Sequence, residues 1–139
     1  MGNERQLREE GGFTENLYHQ IGETIIASNG VEGKIMERIE GNAHDSLPKF
    51  SNTSEVYFKV SDETGEIEQA RVFDGRIPKI DIDWDHSHKG SEKGKAHVHE
   101  WYKGNDGKWK RGKTIRDMTS AEIARYGELL KLACPDIKF

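Results

Sequence analysis

The chain is poor in cysteine and has no long apolar run. Its 139 residues hold a single cysteine, Cys134, so no internal disulfide braces the fold and no Cys-x-x-Cys zinc or redox pair exists. That lone thiol reads as buried and inert. No hydrophobic stretch approaches a signal-peptide core or the roughly 20 residues of a membrane span. The expectation is a soluble, cytoplasmic protein with no membrane partner. Nothing repeats at solenoid or propeller periods, and no segment is of low complexity. His-Glu-x-x-His, a phosphate-binding loop and a nucleophile elbow are all missing, which argues against the chemistries those motifs carry. Apolar residues make up 33% and charged residues another 33%, with a mean hydropathy of -0.87. This composition implies a thin core and frayed ends, and the length fits one domain.

Histidine, in contrast, is concentrated. Four of six histidines fall within fourteen residues, His86, His88, His97 and His99, beside Asp81, Asp83, Asp85 and Glu100. Imidazole and carboxylate are the usual transition-metal ligands and the usual proton carriers of acid–base catalysis. The remaining two, His19 and His44, read as structural or solvent-facing.

Charge is uneven as well. Residues 89–116 carry nine Lys/Arg against three acids, a local +6 that leaves -10 for the rest of a chain whose formal charge is -4. Trp101, Tyr102 and Trp109 interleave with these cations, as binding a phosphate backbone and stacking on bases requires. A solvated basic hairpin is the competing explanation.

Residues 1–12 form a charged arm ending in Gly-Gly, and residues 13–139 read as one α+β domain. Phe13, Leu17, Ile21 and Ile25 recur every fourth residue, which predicts an N-terminal helix from about Thr14 to Ala27, stopped at Asn29-Gly30. Residues 31–39 suit a strand or a second short helix, and the polar stretch 41–54 reads as a loop. From Glu55 the period becomes two. Strands are predicted at about 55–60, 66–73, 77–84 and 96–102, with a short fifth through Trp109; the turn signals are Asp62–Gly65, Asp74-Gly75 and Asn105-Asp-Gly107. Thr119-Ser-Ala-Glu122 is a capping box for a C-terminal helix whose buried stripe is Ile123, Tyr126, Leu130 and Ala133, and Pro135 ends it. The predicted fold is therefore a four- to five-stranded antiparallel sheet with an N-terminal and a C-terminal helix.

On such a sheet Ile80, Ile82 and Trp84 face one side and Asp81, Asp83 and Asp85 the other, either as a site or as a solvated outer face. His97 and His99 share a side, roughly 6.5–7 Å apart along the strand at about 3.3 Å per residue. Two readings remain open. In metal-free RNA cleavage, His97 or His99 is the general base, His86 or His88 the acid, and Lys95 or Arg111 supports the phosphate. Trp101, Lys110, Arg111 and Lys113 then bind substrate, and no cofactor is needed. In the other reading, a divalent transition metal such as zinc takes ligands from Asp83, Asp85, His86, His88, His97 and His99, for catalysis or for structure alone.

The run Arg71-Val-Phe-Asp-Gly-Arg-Ile-Pro-Lys-Ile-Asp-Ile-Asp-Trp-Asp-His-Ser-His88, followed by His97-Val-His-Glu-Trp101, resembles the short His-rich toxin-type domains of bacterial polymorphic toxins and phage or mobile-element proteins. The likeness covers about residues 55–102. It implies an analogy to the barnase–EndoU–RelE-like ribonucleases, with His86, His88, His97 and His99 in the active site, RNA as substrate and a cognate inhibitor protein as partner. The C-terminal helix and the lack of a toxin-delivery region depart from that pattern. A phage or mobile-element accessory protein without enzymatic activity is the alternative.

Overall fold

The computed structural model describes residues 18–38, 47–51, 54–61, 64–84 and 94–139. Eight strands form one sheet: β1 (Tyr18–Gln20), β2 (Ile25–Ile26), β3 (Glu32–Arg38), β4 (Val56–Val60), β5 (Ile67–Asp74), β6 (Ile77–Asp83), β7 (His97–Lys103) and β8 (Trp109–Arg116). Among the described residues one helix, α1 (Ser120–Ala133), follows them. The order is β1-β3-β4-β5-β6-β7-β8, with β2 also pairing β3. β3 and β4 run parallel, and every other pair is antiparallel.

The sheet is larger than the four to five strands predicted, and the region read as an N-terminal helix contributes strands. Residues 14–17 lie outside the described residues, but Tyr18–Gln20 and Ile25–Ile26 pair with β3. A four-residue spacing satisfies both geometries, because it is one helical turn and also two strand repeats. Gly22, at φ 69°, interrupts the segment between the two strands. β3 resolves the strand-or-helix alternative for 31–39 in favour of strand.

Strands β4 to β8 form the meander expected from the period-two pattern. At the β5–β6 hairpin, Asp74 pairs with Ile77 around a two-residue turn in which Gly75 takes φ 64°, a left-handed conformation that glycine adopts without steric cost. Lys79 is then an extra residue on β6: Phe73 pairs with Pro78 but Val72 pairs with Ile80. This bulge sets Arg71 opposite Asp81. Pro78 lies beside this bulge and near the start of β6, positions where a sheet accommodates proline.

The two faces of the sheet differ. Val56, Phe58, Ala70, Val72, Ile80, Ile82, Trp84 and Val98 form one buried cluster with Met118, Tyr126, Leu129, Leu130 and Ile137. The capping box forms as expected: the Thr119 hydroxyl accepts from the Glu122 N–H at 3.1 Å, and the Glu122 carboxylate accepts from the Thr119 N–H at 2.8 Å. Arg125 pairs with Glu55, and Glu128 accepts from Ser28, so the middle of the helix is tied to residues that flank β4 and β2. After α1, Lys138 forms a parallel bridge with Lys95: the Ala96 N–H donates to the Lys138 carbonyl at 2.7 Å, and the Lys138 N–H donates to the Gly94 carbonyl at 2.9 Å. Cys134 is half-buried rather than enclosed.

The opposite face carries a smaller apolar cluster of Tyr18, Met36, Leu47, Tyr57 and Phe73. Beside it the same face turns polar, with Arg71, Asp81, Asp83, His97 and His99 all buried.

Candidate functional site

Cross-strand register assembles the site. Asp83 pairs with His97 and Asp81 with His99, so two carboxylates and two imidazoles form adjacent rungs on one face. Asp81 and Asp83 do not solvate an outer face; Asp81 is 0% exposed. Buried carboxylates persist only when compensated by donors, and here they are. Arg71 makes a two-pronged contact with Asp81, Nε to Oδ1 at 2.6 Å and Nη2 to Oδ2 at 2.9 Å. The Trp101 indole donates to Asp81 Oδ1 at 3.0 Å, and Arg111 Nε lies 3.0 Å from Oδ2. Four donor groups thus converge on one carboxylate.

Arg71 carries the network further. Its Nη1 donates to the Leu47 and Pro48 carbonyls at 2.8 and 3.2 Å, which holds segment 47–51 against this face. Its guanidinium carbon sits 4.7 Å from the centre of the Trp101 ring, a cation–π distance. Farther along, Phe50 packs on Trp109.

Asp83 links both imidazoles to Arg111. Gln69 Nε2 donates to its Oδ1 at 2.7 Å, and Arg111 Nη2 donates to its Oδ2 at 2.5 Å. His97 Nε2 and His99 Nε2 lie 3.7 and 3.6 Å from that same Oδ2. The two rings meet edge to face with centroids 5.7 Å apart. His99 Nδ1 is 2.8 Å from the Gly112 carbonyl. Among the described residues, Asp83, His97 and His99 also form a group whose ligand atoms all lie within 4.8 Å of one another.

Of the residues singled out from sequence, Asp83, His97, His99, Trp101 and Arg111 come together. Asp85, His86 and His88 lie outside the described residues, as does His44. Lys95 ion-pairs with Asp117 at 3.7 Å, and Lys110 with Asp106 at 3.3 Å. Lys113 is exposed in β8. His19 stands in β1, 3.8 Å from Glu37, rather than on a helix. Sequence reasoning missed Arg71, Gln69 and Gly112 as parts of the site. Arg71 and Gln69 fall on alternate positions of β5, the period of the carboxylate ladder, and that was the available signal.

No family model, no curated protein and no solved structure matches this chain.

Proposed function

We propose that this face cleaves RNA phosphodiester bonds by general acid–base catalysis without a metal. The observation that carries the reading is the arrangement around Asp83: two imidazoles of one strand present Nε2 to a single carboxylate oxygen, and the Arg111 guanidinium bonds that same oxygen. One imidazole takes the 2′-hydroxyl proton as that oxygen attacks phosphorus. The other gives a proton to the departing 5′-oxygen, leaving a 2′,3′-cyclic phosphate and a free 5′-hydroxyl. Arg111, 38% exposed at its side chain, offers positive charge to the phosphorane from the solvent side of the pair. RNA suits such a site because its nucleophile is built into the substrate, so no metal need activate water. Beyond Trp101 on the same face, the exposed Lys103 pairs with the half-buried Trp109, a cation beside an indole near the end of the hairpin.

The test is cleavage of end-labelled RNA in excess chelator, with a 2′-deoxy substitution at the scissile nucleotide as control. The expected result is a cyclic-phosphate product from RNA, none from the substituted strand, and none from His99→Ala. Cleavage of the 2′-deoxy strand, or absence of cleavage under all conditions, refutes the proposal.

A second reading rests on the close approach of the Asp83, His97 and His99 donor atoms. A divalent transition metal would be held by these three, with the His99–Gly112 contact orienting one ring as outer partners of metal-bound imidazoles do. Arg111 on the shared oxygen opposes it, since a guanidinium and a dication would then compete for one carboxylate. Stoichiometric metal in tag-free protein, with a lowered melting temperature in chelator, would establish this reading instead.

A further inference from the structure

β7 and β8 fall out of step beside the histidines. His99 pairs with Ile115 and Trp101 with Arg111, so Glu100 alone stands against Gly112, Lys113 and Thr114. Bulges of this kind re-aim groups next to sites. The group re-aimed here is the Gly112 carbonyl, 2.8 Å from His99 Nδ1. A carbonyl oxygen only accepts, so Nδ1 carries the proton and the neutral ring has its lone pair on Nε2. Nε2 is the nitrogen that faces Asp83 Oδ2 at 3.6 Å.

The bulge needs glycine for a reason of space. A Cβ at position 112 would stand 2.7 Å from the Glu100 carbonyl oxygen, which is backbone and cannot swing aside. Any side chain here therefore moves the Gly112 carbonyl relative to β7, and the contact with His99 moves with it.

We infer that Gly112 is a positioning residue, whose carbonyl locks His99 in the Nδ1-protonated tautomer and makes Nε2 the nitrogen that takes the substrate proton. The assignment of His99 as the base rests on the acid–base reading above; the tautomer lock does not.

The experiment is long-range 15N–1H NMR of the histidine side chains in the intact protein, recorded as a pH series, with the tautomer read from the spectra of the neutral ring. His99 is expected to show a protonated Nδ1 and a bare Nε2. In Gly112→Ala the His99 pattern is expected to shift toward the other tautomer, and kcat for RNA to fall by about tenfold or more with KM little changed, because a ring protonated on Nε2 cannot take a proton there. An Nε2-protonated His99 in the unsubstituted protein overturns the inference, and so does a Gly112→Ala variant that keeps the native tautomer. Should that variant fail to fold, the spectrum of the unsubstituted protein decides alone by the same criterion. A protein that shows the Nδ1-protonated ring yet cleaves no RNA keeps the lock and loses the ribonuclease reading.

Discussion

The two faces of this sheet are made by alternate residues of the same strands, yet they are held by different physics. Under α1, Val72, Ile80, Ile82 and Val98 are fixed by burial, which is non-directional and scales with apolar area. One residue along each strand, Arg71, Asp81 and His99 are fixed by directional bonds that succeed only at particular distances and angles. The apolar face should therefore tolerate changes of shape at constant volume. The polar face should tolerate almost none, even at constant charge.

If the proposed cleavage is this protein's activity, the largest expected difference is in catalysis. His99→Ala should lower RNA cleavage by about 10²- to 10⁴-fold, the range for loss of a general acid or base, measured at a temperature where the variant, which also loses the bond to the Gly112 carbonyl, is still folded. Asp81→Ala comes next. It leaves the buried Arg71 without its carboxylate and should cost about 3–5 kcal/mol in urea denaturation. Leu129→Ala, on the apolar face, should cost about 2–5 kcal/mol through the cavity it leaves.

The conservative pair sharpens the contrast. Leu129→Met should cost less than about 1.5 kcal/mol, whereas Arg71→Lys keeps the charge but loses the fork that reaches Asp81 and the Leu47 and Pro48 carbonyls together. Urea midpoints that rank Leu129→Met below Arg71→Lys would reverse the comparison. The smallest effect is on pH dependence. The bond from Arg116, which offsets partial burial, holds the Glu122 carboxyl below its ordinary 4.5. The stability it supplies is complete above that value and is lost as pH falls through the lowered folded-state value. Glu122→Gln should flatten that part of the acid limb, read as denaturant midpoints between about pH 6 and pH 3.

The sequence was legible where signals were local. The two-residue period, the Asp74-Gly75 turn and the Thr119 capping box act within a few positions, so β4 to β7 and α1 were placed closely, and His97 and His99 were put on one face; β8 runs on to Arg116, well past the short strand expected through Trp109. The N-terminal strands were not legible, because a spacing of four between Ile21 and Ile25 suits a helix and a strand alike. They are strands because β3 offers them an edge, which is information from elsewhere in the chain. The Arg71–Asp81 pair was hidden for a different reason. An unbroken hairpin around Gly75-Arg76 would set Arg71 opposite Ile80, and only the extra residue at Lys79 brings it to Asp81. Gly112 was hidden likewise, by a second irregularity that no periodicity announces.

The bridge between Lys138 and Lys95 ties the far end of the chain to the strand that bears the imidazoles. Two backbone bonds, to Gly94 and from Ala96, hold the residues immediately before His97. Tension applied at Lys138, by a fused domain or a surface tether, would pull directly on the residues just before His97, so an affinity handle belongs elsewhere on this molecule.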